Sequence, residues 1–315
     1  MNGRNYTIIT EFILVGFSEL VDLQLLLFIM FLLMYIITVL GNLSIILAYT
    51  LTTILNTPMY LFLSNFSFLE ICYVTSTVPK LLSNLLAGDK TISFYSCGLQ
   101  MYCFLLLAGA ECYMLAVMAY DRYIAICHPL LYSTIINHKV CIQLLSGSWL
   151  IGAVNALIHT TLTFNLPFCN HKINNFFCDV PPLLKLACTD TWINETVVFI
   201  VGGGVVVGSF ILTIISYTLI ISSILNIHSR RNKAFSTCSS HFMVISIFYG
   251  SSIIMYFRPN TKYAMYQERV VSLMYTIIAP LLNPFIYSLR NDDVKLAIRH
   301  SLSLIIALIR TRFNT

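Results

Sequence analysis

Seven apolar runs, at 25–50, 58–83, 97–122, 141–163, 196–224, 237–258 and 269–289, are each long enough to cross a bilayer as a helix. In lipid, every backbone N–H and C=O must find a partner inside the protein, which leaves helices and closed barrels as spanning structures. Runs of this length with short polar connections predict an all-α membrane protein, a seven-transmembrane helix bundle. Composition agrees with this, since 58% of the 315 residues are hydrophobic and 10% are charged, against about a quarter charged in soluble domains. Because the runs extend over the whole chain, they argue against a soluble domain on one anchor. The expected organisation is a polar tail over 1–24, a bundle over 25–289 with one long loop at 164–195, and an inner tail over 290–315. Residues 1–24 lack a basic region followed by an apolar one, so the first run is expected to act as the insertion signal.

An odd number of spans puts the two ends of the bundle on opposite sides of the membrane. Ten Lys and Arg fall on the side of Arg122 and eight on the other, a slight positive-inside bias. Cys97, Cys169, Cys178 and Cys188, with the sequon Asn5-Tyr6-Thr7, share the less basic side. That side is expected to be extracellular and oxidising, with a glycan on Asn5. Four cysteines allow three pairings, and none of the chain's cysteines has the Cys-x-x-Cys spacing of a zinc site. The net charge of +5 is scattered among short loops and offers no face for nucleic acid.

Ionisable side chains are costly at mid-membrane and occur there paired or functional. Glu111 lies 11 residues before Arg122, about 16 Å deep at the helical rise. Glu70 lies 12 residues after Pro58 on the oppositely directed neighbour, about 18 Å deep. The two share a depth and can face each other. Close carboxylates do not both ionise cheaply, so the pair would hold a proton or a cation such as sodium. The alternative is two acids bonded separately to backbone or serine groups. Asn42 and Asn283 belong at similar depths and could complete a polar cluster. No nucleophile or convergent His and acid set accompanies the carboxylates, so no catalytic residue, cofactor or structural metal is expected. A polytopic transporter or ion-binding protein is the competing reading.

Two further features mark the inner end. Asp121-Arg122 closes the third run, and Pro284 removes a hydrogen bond from the last one, which should kink it. Residues 290–299 carry acids early and bases late around apolar positions, the pattern of a short amphipathic helix on the inner surface.

Longer strings carry a family resemblance. Met118-Ala119-Tyr120-Asp121-Arg122-Tyr123-Ile124-Ala125-Ile126-Cys127 and Asn283-Pro284-Phe285-Ile286-Tyr287 resemble the inner ends of the third and seventh helices of rhodopsin-like G-protein-coupled receptors. Pro58-Met59-Tyr60 and Lys233-Ala234-Phe235-Ser236-Thr237-Cys238-Ser239-Ser240-His241 are similar to odorant receptors in particular. The chain thus resembles a tetrapod-type odorant receptor over residues 5 to 300. That resemblance implies disulfides Cys97–Cys178 and Cys169–Cys188. It implies a ligand pocket between spans three, five, six and seven, with Phe104, Leu105 and Ala108; Val201 and Val205; Tyr249, Ser252, Ile253 and Tyr256; and Thr276. Such a wall suits a small, mostly apolar volatile molecule, and Phe104 puts no acid where an amine would need one. Arg122 would bind Asp121 at rest and meet a stimulatory, olfactory-type G protein when active, raising cyclic AMP. Tyr123, Tyr217, Lys233, His241, Asn283, Pro284 and Tyr287 would share in that switch. The implied partners are an odorant, a heterotrimeric G protein and plasma-membrane lipid. A retinal opsin is excluded, since residues 270–289 contain no lysine.

Overall fold

The computed structural model describes residues 9–17, 19–52, 55–226, 243–250, 264–290 and 294–300. Six of the described segments are long and apolar enough to cross a membrane: Val21–Leu51, Pro58–Ala87, Phe94–Cys127, His138–Phe164, Trp192–Leu225 and Arg269–Ile286. Their helices are α1 (Gln24–Leu51), α2 (Pro58–Ala87), α3 (Phe94–Cys127) and α5 (His138–Phe164), then α7 (Trp192–Val197) continuing through a π-helical turn into α8 (Gly203–Asn226). The last span joins α10 (Ala264–Leu273), a second π-helical turn (Met274–Ile278) and α11 (Ala279–Arg290). Short α4 (Tyr132–Ile135) and α6 (Val180–Leu184) lie in loops. Residues 243–250 form α9, inside the run expected as the sixth span, and 294–300 form α12, where the inner amphipathic helix was expected.

Local chemistry sets the helix ends. Pro58 starts α2, where its missing N–H is not needed, and Gly88 stops it at φ 68°, a left-handed turn that a side chain would strain. Ser93 caps α3 by accepting from the Ser96 amide, and Asn137 caps α5 by accepting from Val140.

The core forms around α3, which packs against α2, α5 and α8, while α1 packs on α2 and α11. The outward faces stay apolar, with Leu26, Leu33, Leu150, Leu157, Ile211 and Ile215 all exposed. Outward leucine and isoleucine on every side are what lipid-facing helices present. Glycines bring two helix pairs into close approach. A Cβ on Gly152 would stand 2.3 Å from the Leu106 carbonyl oxygen and 2.8 Å from the Ala110 amide, so α3 and α5 meet backbone to backbone. A Cβ on Gly41 would stand 3.0 Å from Pro284, so α1 lies directly on the last span.

The expected tail over 1–24 contains a strand. β1 (Glu11–Leu14) pairs antiparallel with β2 (Thr91–Ser93) and parallel with β3 (Lys172–Ile173), in the order β2-β1-β3. Alternation explains its place: Phe12 and Leu14 are fully buried while Glu11 is exposed. Phe12 meets Phe168 edge-on at 5.3 Å, and Phe17 stacks on Phe176 at 5.8 Å. The loop over 164–195 is pinned by Cys97–Cys178 and Cys169–Cys188. Gln100 on α3 ties the same loop down, accepting from the Cys178 amide at 3.0 Å and donating to the Ser76 carbonyl of α2 at 3.0 Å.

Candidate functional site

Beneath the pinned loop lies a partly open cavity. Phe104, Leu105, Ala108, Gly109 and Cys112 of α3 form one wall. Val198, Gly202, Val205 and Val206 form the wall opposite, around the π-helical turn. Phe248 of α9 and Tyr275 of the last span close the sides, Tyr73 of α2 and the pair Asn155 and His159 of α5 complete them, and Val180 of α6 is the roof. Asp179 sets that roof. It accepts from the Val180 amide to start α6, and its second oxygen accepts from the Tyr275 hydroxyl at 3.4 Å. Aromatic contacts stiffen the mouth, with Phe104 5.3 Å from Tyr73 and 4.7 Å from Phe177.

Of the expected pocket residues, Phe104, Leu105, Ala108 and Val205 line this cavity, and Val201, Tyr249 and Thr276 do not. The π-helical turns account for two of these departures. An extra residue in a turn rotates the side chains around it, so Val198 and Gly202 reach the cavity in place of Val201, and Tyr275 in place of Thr276. Thr276 instead donates to the Ser272 carbonyl and is fully buried. Tyr249 lies deeper, its hydroxyl 3.2 Å from the Cys112 carbonyl and 2.9 Å from Ser209, locking α9 to α3 and α8. Ser252, Ile253 and Tyr256 lie outside the described residues. The sequence expectation also left out span four, whose Asn155 and His159 sit in the wall; two polar residues four apart in an apolar run were the available signal.

Below the cavity, Glu70 and Glu111 are fully buried and their carboxyl groups interact. Asn283 of α11 donates to Glu70 Oε1, bridging the second and last spans. One oxygen of each acid, Glu70 Oε2 and Glu111 Oε2, has no hydrogen-bond partner. Two orphaned acceptors on facing acids fit a shared proton or a monovalent cation. Asn42 does not join them; its amide donates to the Thr38 carbonyl on its own helix, because a helix offers its i−4 carbonyl before a more distant acid.

At the far end of α3, Arg122 faces Asp121 at 3.6 Å. Asp121 is buried and also accepts from the Tyr132 hydroxyl of α4 at 2.7 Å, a partner not foreseen from sequence. Burial and the neighbouring carboxylate push the Tyr132 phenol up from its ordinary value. Tyr123 turns to His128 at 3.2 Å, and Tyr217 is buried on α8. Pro284 packs toward Gly41. Lys233, His241 and Asn5 lie outside the described residues, as does the Tyr287 side chain.

A family model described as olfactory receptor matches residues 31–304. The chain is 50% identical over 302 residues to olfactory receptor 1G1 of Gorilla gorilla gorilla, covering 95% of this chain and 96% of that one. It is 48% identical over 295 residues to human olfactory receptor 5I1, covering 93% and 94%. Among solved structures, squid rhodopsin superposes with TM-score 0.70 at 17% identity, over 91% of this chain and 87% of that one.

Proposed function

Because the chain belongs to the olfactory receptor family of G-protein-coupled receptors, which signal and do not catalyse, we propose that it is activated by a small, mostly apolar volatile molecule held in the cavity under the disulfide-pinned loop. One observation carries the reading: a single helix, α3, contributes both the cavity wall (Phe104 to Cys112) and the Asp121–Arg122 ion pair. A ligand that packs better against one arrangement of the bundle shifts the population toward it. At the other end that shift separates Arg122 from Asp121 and offers the arginine to a G protein of the stimulatory, olfactory type, so cyclic AMP rises. Tyr123, Tyr217, Lys233, His241, Asn283, Pro284 and Tyr287 are proposed to move with it, and Glu70 and Glu111 to hold a proton or sodium that changes with state. The disulfide end would face the cell exterior, with a glycan on Asn5, and the Arg122 end and residues 290–315 the cytoplasm of the plasma membrane, since disulfides persist on the oxidising side.

The test is a cyclic-AMP reporter in cells displaying the receptor, screened with a broad odorant panel, with Arg122→Ala as control. At least one odorant should raise cyclic AMP, and Arg122→Ala should abolish the response at equal surface abundance. A receptor present at the surface and silent to the whole panel refutes the proposal.

A further inference from the structure

Two polar side chains in the cavity wall are left without partners by the fold. Asn155 and His159, one turn apart on α5, line the cavity and are only 7% and 4% exposed. Asn155 Oδ1 is a buried acceptor with no donor, and neither side chain has a hydrogen bond among the described residues. Buried polar groups are nearly always paired, so an orphan facing a ligand cavity is open to a partner that the ligand supplies. The neighbouring helices leave room there. A Cβ on Gly202 would stand 3.4 Å from His159 Nε2, in contact with it, so glycine there leaves that ring nitrogen uncovered.

We infer that Asn155 and His159 form a polar subsite on the fourth span that selects a small neutral alcohol. The inference rests on the reading of this cavity as the odorant site. A hydroxyl both donates and accepts, as does each member of the pair: the carboxamide through its oxygen and nitrogen, the neutral imidazole through its two ring nitrogens. The hydroxyl donates to Asn155 Oδ1 and accepts the imidazole N–H, and it satisfies both groups equally well with the amide turned over. Ethers, esters, ketones and aldehydes only accept, and they leave the Asn155 acceptor empty. Charged ligands fare worse. The described wall holds no Lys or Arg for a carboxylate, and the acid nearest the roof, Asp179, is taken by the Val180 amide and Tyr275. The hydrocarbon tail lies against Phe104, Leu105, Val205, Val206 and Phe248.

Hexanol, octanol and decanol, each beside its methyl ether, are compared in the cyclic-AMP reporter on the native receptor and on Asn155→Leu, His159→Phe and His159→Gln. At least one alcohol should act at a concentration about tenfold or more below that of its ether, the worth of one or two hydrogen bonds. Asn155→Leu should raise the alcohol's half-maximal concentration about tenfold and the ether's far less; His159→Phe removes a donor that both ligands use and should raise both, while His159→Gln keeps most of the preference. Surface labelling shows that each variant folds. Equal potency of alcohol and ether on the native receptor, equal losses for both in Asn155→Leu, or responses to ketones and esters with none to alcohols would overturn the subsite alone. Silence to every odorant class at normal surface abundance would overturn the receptor reading with it.

Discussion

At the level of single residues, contact distances decide more than residue type. Gly147 and Gly152 lie five apart on α5 and are indistinguishable in the sequence. Nothing lies within 4 Å of a Cβ added at Gly147, whereas one at Gly152 falls 2.3 Å from the Leu106 carbonyl. Gly152→Ala must therefore push α5 away from α3, and overpacking of this kind costs about 1–3 kcal/mol. The expected result is a lower unfolding midpoint for the detergent-solubilised receptor, and less of it at the cell surface, with Gly147→Ala unchanged in both. Asp121 makes the same point. Its pairing with Arg122 was legible because the two are adjacent in a known string, but its shorter bond to Tyr132 depends on how α4 folds back, and nothing in the spacing announced it.

Among the secondary-structure elements, long helices were legible and short devices were not. Apolar length and flanking polarity located the six described spans to within a few residues, because a bilayer demands that length of every crossing segment. The two π-helical turns carry no comparable signal, and they are what moved Val201 and Thr276 off the cavity wall. β1 was equally hidden, since four residues of alternating burial in a polar tail resemble chance. Its anchors nonetheless tie the tail to the loop over the cavity. Phe12→Ala removes a fully buried ring and should destabilise the receptor by about 3–5 kcal/mol. Surface abundance and thermal stability should both fall, while Glu11→Ala, on the exposed face of the same strand, changes neither.

Across the molecule, the feature with the longest reach is the buried junction of Glu70, Glu111 and Asn283, which joins α2, α3 and α11 between cavity and ion pair. Facing acids with unfilled oxygens respond to protons and cations together. Glu111→Gln leaves one acid, so the dependence of signalling on pH and sodium should flatten while ligand recognition in the cavity persists. Dose-response curves across sodium concentrations and pH measure this, and identical curves for the variant and the native receptor would remove the junction from the mechanism. The sequence by itself determined the membrane class, the six described spans, the family and the shared level of these two carboxylates. Each of these follows from a one-dimensional constraint: apolar length, helical rise or a contiguous string of residues. Only the tertiary structure decided which polar groups meet. Asn283 chose Glu70 while Asn42 stayed on its own helix, and Asn155 and His159 turned to the cavity with no partner, because helix rotation and glycine-mediated close approach are set by packing among segments far apart in the chain.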